Sequence, residues 1–461
     1  MTYFPAENSI FAIYLLTAVF VLRVFYTYIQ RQSDNPDGLP LPPGPKGLPF
    51  IGNILDIPLN KTWLAYDDLI KKYGDMVYLS VLGKGILILG SMERVSDIFE
   101  KRGNNYSDRP PMPMVNDLFL TDLIIRVTYG FGVDDWNDEY AQNIEEALGM
   151  LVEAATPGRY LVDFLPLMKY IPSWFPGAGW KQKAEHCRDL VAKAVDDPYE
   201  RVQKQMNEGT AVPSICSQLI ELLPDVSSPD RAKEEKLAKN VLAMAYLAGA
   251  DTTVSVCSTF FLAMRMYPEV QRKAQAELDS VLQGRLPEFS DRSSLPYINA
   301  MAKETHRWQM VAPSGLYHSA TSSDIYKGFY IPKGTLVIGN GWTILNDSEN
   351  FTNPDEYIPE RYLKDGKINP DVQDPSVAAF GYGKRKCPGQ FFSEDSLFSI
   401  IAHVLTVYDI KPGLDDDGKE VKIMPEYSSG LSSHPGPFKC RIMPRSKAAE
   451  DLIRSTESSA S

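Results

Sequence analysis

From about Lys233 to Met266 the chain keeps a helical spacing of apolar residues without a proline, and it stops at Tyr267-Pro268, a dipeptide that ends helices. At about 1.5 Å rise per residue this helix is about 50 Å long, enough to cross a whole domain. A chain organised around it is expected to be mainly helical. In the middle of its apolar stretch sits Ala248-Gly249-Ala250-Asp251-Thr252-Thr253. A glycine there costs about 1 kcal/mol of helix propensity against alanine, and a buried aspartate beside two threonines costs more unless each is partnered. Close helix packing at Gly249, with threonine hydroxyls bonded back to the preceding turn, would offset those costs. A functional site that needs space and a proton-handling pair would do so too.

The second informative segment is Phe380-Gly381-Tyr382-Gly383-Lys384-Arg385-Lys386-Cys387-Pro388-Gly389. A thiolate on a glycine-rich loop, with three cations just before it, suits a soft ligand such as haem iron. A structural cysteine in a turn is the competing reading. Phe380, Gly381, Gly383, Arg385, Cys387 and Gly389 fall where the haem-binding loop of the cytochrome P-450 family wants them, and the run resembles that loop. The resemblance implies haem b with Cys387 as axial ligand of the iron, and Phe380, Arg385 and Gly389 as cofactor-binding neighbours. It also makes the segment around Gly249 look like the family's acid-alcohol motif. Asp251 is then the carboxylate and Thr252 the hydroxyl that supports proton delivery.

Glu304-Thr305-His306-Arg307 places a carboxylate and a guanidinium three residues apart, on one helical face. An exposed pair of this kind is common and contributes little. Followed by Tyr357-Ile358-Pro359-Glu360-Arg361-Tyr362 and then the cysteine loop, it resembles the family's structural core. That order implies a buried cluster of Glu304, Arg307 and Arg361. Between these motifs, residues 324 to 338 alternate strand-like runs with turn residues and read as a minor β part. The expected fold class is therefore mainly α with a small β part, an α+β cytochrome P-450 fold. His318 stands where relatives often place a side chain near a haem propionate, although a lone histidine more often has a purely structural role.

At the N-terminus, the apolar run Ile10–Ile29 suffices for a spanning helix if Arg23 snorkels to the interface. Residues 1–32 read as a membrane anchor, 33–50 as a Pro-rich hinge and 51–461 as the catalytic domain. The basic residues that follow the run place the body in the cytosol, in a single-pass topology, and the sequons at Asn60, Asn105, Asn346 and Asn350 would then remain unmodified. A cleavable signal peptide is the alternative, but no basic segment precedes the run and no convincing cleavage site follows it. The resemblance implies the endoplasmic reticulum membrane. A net charge of −12 argues against a nucleic-acid partner. The five cysteines are widely spaced, without a C-x-x-C pair, against both a disulfide framework and a structural zinc site.

One stretch departs from the family. After Met112-Pro113-Met114, a member should continue into a helix bearing Trp-x-x-x-Arg, whose arginine grips a propionate. Here Leu118-Phe119-Leu120 runs directly into Thr121-Asp122-Leu123, and none of the six tryptophans has an arginine four residues on. An internal deletion near 118–123 is expected.

The reading is a haem-thiolate monooxygenase that inserts one atom of O2 into a small apolar substrate. Fungal secondary metabolism or xenobiotic oxidation is the expected setting. No G-x-G-x-x-G fingerprint follows a strand, so a separate NADPH-cytochrome reductase is the implied electron source. Met112, Met114, Tyr246, Val311, Ala312 and Leu431 are the pocket candidates that the resemblance supplies. Two alternatives stay open: a haem-binding or haem-free pseudoenzyme lacking the propionate helix, and a reductase-independent isomerase or dehydratase.

Overall fold

The structure is a computed structural model. It describes residues 33–49, 51–57, 60–110 and 166–460, together with isolated positions at 21, 25, 29, 128, 129, 146, 150, 160 and 162. The expected anchor, the join near 118–123 and the pocket candidates Met112 and Met114 lie outside the described residues. The chain sorts into two compact units, the first comprising Met1–Pro110, Ser314–Ile344 and Gly381–Lys386, the second the remainder.

In the first unit, helix α1 (Thr62–Tyr73) buries Trp63, Tyr66 and Ile70, spaced to share one face. It ends at Gly74, whose φ of 103° lets its N–H return to the Ile70 carbonyl. Strands β1 (Met76–Val81) and β2 (Lys84–Leu89) form an antiparallel hairpin in register from Met76 opposite Leu89 to Val81 opposite Lys84. The two-residue turn, Leu82-Gly83, has positive φ at both positions, the conformation whose twist matches the flanking strands. Strand β3 (His318–Ser319) and the hairpin of β4 (Asp324–Tyr326) and β5 (Phe329–Ile331) follow. Strand β6 (Leu336–Gly339) then runs parallel to β2 and antiparallel to β3, closing a sheet of order β1-β2-β6-β3.

The Pro-rich stretch lies along this unit. The Tyr78 N–H donates to the Pro43 carbonyl (2.8 Å) and the Tyr330 N–H to that of Pro40 (2.9 Å). A Cβ at Gly44 would meet the Tyr78 carbonyl oxygen at 2.1 Å, so glycine is what allows this close approach.

The second unit is helical. Helices α2 (Gly179–Glu208) and α3 (Ile215–Leu222) precede α4 (Arg231–Met266), the long helix expected from the sequence. Tyr267 caps it, and Pro268 opens α5 (Pro268–Leu282) at the position where a missing N–H costs nothing. Helix α6 (Pro296–Trp308) also starts on proline. Strands β7 (Leu363–Lys364) and β8 (Lys367–Ile368) form a small hairpin. Helix α7 (Gln390–Val407) leads into β9 (Tyr408–Pro412), paired with β10 (Cys440–Pro444), and α8 (Lys447–Ala460) ends the chain. The core joins Phe260 and Met264 of α4, Ala274 and Leu278 of α5, Ile298 and Met301 of α6, and Phe398 and Ile401 of α7. Among the described residues, α4 is the one helix long and apolar enough to cross a membrane, and its C-terminal half lies in this core.

Candidate functional site

Cys387 is an exposed, unpaired thiol in the second unit. Its N–H donates to the Phe380 carbonyl (2.8 Å), and α7 begins three residues later. Phe380 packs its ring edge-on against His306, 5.1 Å between centroids. His306 is buried on α6, its Nε2 lacks a hydrogen-bond partner, and burial pushes its pKa down to about 4.

The Glu304 carboxylate is fully buried on α6 and is wrapped by donors. Arg307 Nε donates to Oε2 (2.7 Å) and Nη2 to Oε1 (2.9 Å), while Oε1 also accepts from Arg361 Nε (3.1 Å) and the Ile358 N–H (2.8 Å). Arg307 donates further to the carbonyls of Leu345 and Glu356, and Arg361 to that of Thr352. Two guanidinia on one buried carboxylate, with their remaining N–H groups on backbone carbonyls, is the satisfied form of such a cluster. The structure brings these three residues together.

Asp251 and Thr252 lie side by side on α4 but are tied in different directions. The Thr252 hydroxyl donates to the Ala248 carbonyl (2.6 Å), the back-bond that a threonine in a helix favours. Asp251 Oδ1 lies 2.9 Å from His434 Nε2 on the C-terminal loop. Burial raises the Asp251 carboxyl, but His434 and the nearby Ser432 hydroxyl more than offset it and hold the group below the ordinary carboxylate range. Of the pocket candidates, Tyr246 is buried edge-on to Tyr129, while Val311, Ala312 and Leu431 are half-buried.

The first unit carries Gly381–Lys386. Gly381 and Gly383 have φ of 75° and 56°, and a Cβ on Gly383 would lie 2.2 Å from the Phe99 carbonyl oxygen, so this turn requires glycine. Arg385 Nε donates to the Ser107 carbonyl (2.9 Å). Arg109 reaches the carbonyls of Leu316 and Tyr317 through Nη1 (3.0 and 2.9 Å). Burial, and then the Arg385 charge, press the Arg109 pKa down. His318, its ring tilted 42° against that of Phe99 and bonded through Nδ1 to the Tyr106 carbonyl oxygen (2.7 Å), is pushed down to about 4 by burial and by the Arg109 and Arg385 charges. Among the described residues, neither arginine has a carboxylate partner. Two guanidinia that repel each other beside a neutral imidazole are suited to an anionic group such as a carboxylate of a cofactor.

Sequence reasoning missed Arg109 and His434. Arg109 stood in view beside Pro110, but its meaning depends on Arg385, far along the chain. His434 belongs to no motif.

The Cytochrome P450 family model matches residues 42–121 and 117–442, two stretches that meet within 117–121. The cytochrome P450 monooxygenase COX2 of Coprinopsis cinerea is 39% identical over 488 residues, covering 92% of this chain and 93% of the relative. The cytochrome P450 monooxygenase 208 of Postia placenta is 38% identical, covering 94% and 95%. A tryptamine 4-monooxygenase of Psilocybe cyanescens is 36% identical, covering 88% and 93%. The 488 aligned positions exceed the 461 residues of the chain, so the first of these relatives has residues for which this chain has no counterpart.

Proposed function

This chain belongs to the cytochrome P450 family, and we propose on that basis that Cys387 ligates haem iron and that Asp251 and Thr252 handle protons in the monooxygenation of a small apolar substrate. The observation that carries the reading is the exposed Cys387 thiol, on a loop that only glycines at 381 and 383 could turn, in a chain with monooxygenases among its relatives. The residues fit the group. Cys387 Sγ would hold the iron, and within the first unit Arg385, Arg109 and neutral His318 form a cluster suited to carboxylates. When bound, haem supplies the redox centre at which one atom of O2 enters substrate and the other leaves as water. Asp251 would hold a proton at Oδ1. The Thr252 hydroxyl would steer it once released from the Ala248 carbonyl. Glu304, Arg307 and Arg361 would hold the backbone from Thr352 to Ile358 in place.

Electrons would come from a separate NADPH-dependent flavoprotein. The exposed cations Lys384 and Lys386 support an acidic partner of that kind. The apolar run Ile10–Ile29 supports a single anchor in the endoplasmic reticulum with the body in the cytosol. The setting is secondary metabolism. One relative's name makes an aromatic amine a member of any substrate screen, beside terpenoids, polyketides and polycyclic aromatics.

The two-piece family match favours a second reading, a pseudoenzyme that has lost the propionate-gripping helix. The reduced difference spectrum with carbon monoxide separates the two. The full chain in detergent, supplied with haem, is expected to give the red-shifted band of thiolate-bound haem, and Cys387→Ala to abolish it. A colourless protein, or a band that survives Cys387→Ala, sinks the monooxygenase reading of this polypeptide.

A further inference from the structure

Two side chains of α4 hold the loop 427–435. The Ser255 hydroxyl donates to the Ser433 carbonyl (2.6 Å), and Asp251, one turn earlier on the same helical face, meets His434 at 2.9 Å. The Ser433 N–H donates to the Val311 carbonyl (2.7 Å), so the loop is fastened to a second segment as well. Its own frame is closed by the Ser428 N–H on the His434 carbonyl (2.8 Å) and the His434 N–H on the Ser428 hydroxyl (2.9 Å). The contact of Ser255 with Ser433 is buried and neutral. The second contact, between a carboxylate and an imidazole, is partly exposed and can carry charge.

The His434 side chain is 29% exposed and that of Asp251 16%, so the imidazole is the more solvent-facing member. Asp251 is not bonded to Thr252, whose hydroxyl is turned to Ala248. In this arrangement the acid is turned to the imidazole, the more solvent-facing member of the pair.

We propose that His434 is a positioning residue for the proton-handling pair: it holds the Asp251 carboxylate ionised and outward, and it passes a proton from solvent to Asp251 Oδ1. The N–H bond at His434 Nε2 breaks, the O–H bond at Asp251 forms, and water then reprotonates the imidazole. Losing the ion pair frees the neutral carboxyl to turn towards Thr252. Groups from both packed elements bear on the switch: Asp251 from α4, and His434 and the Ser432 hydroxyl from the loop. The low pKa of Asp251 fits a carboxylate held in this way. The proposal rests on the reading of Asp251 as the proton-handling acid.

The test compares His434→Gln, Ser255→Ala and Asp251→Asn with the parent, all as full chains. Glutamine keeps a donor for Asp251 but does not titrate, and serine removal loosens the loop without touching the pair. The carbon monoxide band reports that haem is held. Amide exchange of Ser433 and His434, in both haem-free and haem-loaded protein, reports loop fastening. Peroxide released per NADPH consumed, with a flavoprotein reductase and across about pH 5 to 8, reports proton delivery. His434→Gln is expected to raise the peroxide ratio several-fold and to flatten its pH dependence while leaving loop exchange near the parent's. Ser255→Ala is expected to speed exchange and keep the parent's pH dependence.

A parent-like pH profile in His434→Gln overturns the proposal. If Asp251→Asn leaves the ratio unchanged, the reading of Asp251 itself fails. If Asp251→Asn raises the ratio and His434→Gln does not, only the role of His434 fails. Should His434→Gln lose the band, His434→Lys is read the same way, since it holds a cation beside Asp251 that does not titrate in this range. A flat profile supports the proposal and a parent-like one overturns it.

Discussion

Protonating His306 would place a charge in the interior of α6 with nothing to receive a bond from Nε2. With a folded pKa near 4 set by burial, against about 6.5 in an unfolded chain, His306 stays neutral in the fold while the unfolded chain takes up a proton. Its contribution is complete above about pH 6.5 and is lost as pH falls towards 4, amounting to about 3 kcal/mol. His306→Gln should therefore show a flatter fall of the denaturation midpoint between neutral and acid pH than the parent does. Parallel slopes would mean that His306 titrates alike in the folded and the unfolded chain. Cys387, Asp251 and Thr252 stand out in the sequence as candidates because each belongs to a contiguous motif whose cost or chemistry shows locally. His434 is not, because its partner is chosen by tertiary packing. Its neighbour Ser433 bonds to Ser255 across 178 residues of sequence.

At the scale of elements, α6 is the piece on which the segment before β7 depends. It carries Glu304 and Arg307, and through Glu304 it fixes Arg361 and the Ile358 N–H in the segment before β7. Removing the carboxylate leaves two guanidinia in places built for a pair, an unpaired-charge cost of about 3–5 kcal/mol. Glu304→Ala is thus expected to lower the unfolding free energy by that amount and to release any haem the chain holds. A loss below about 1 kcal/mol would place the cluster with exposed ion pairs instead. The C-terminal end of α4 is legible in the sequence because Pro268 fixes it, while its start lies two residues before the expected Lys233, and Lys327-Gly328, with positive φ at both residues, makes the β4–β5 turn. The Pro-rich stretch reads in the sequence as a hinge; in the structure the carbonyls of Pro40 and Pro43 accept bonds from the N–H groups of Tyr330 and Tyr78, and no local pattern announces which strand will donate.

For the whole chain, the consequence to settle is the join near 118–123. The family match breaks within 117–121, and the relative from Coprinopsis cinerea aligns over more positions than this chain has residues. On α4, Leu237, Val241 and Met244 are spaced to share one face, and each is about half exposed, at 53%, 52% and 51%. A long core helix normally buries such a stripe, and each of these side chains would gain about 1 kcal/mol or more from being covered. A segment taken from that relative and inserted between Leu120 and Thr121 would bring back the helix whose arginine grips a propionate in the family. If the deletion is real, the inserted chain should bind haem at higher occupancy, melt at a higher temperature and bind less of an apolar dye than the parent. Arg109 and Arg385 would already give the parent some hold on the cofactor's carboxylates, so partial occupancy is expected of it. Equal occupancy and melting in both chains would mean that the described residues hold haem unaided, and that the missing helix is dispensable here.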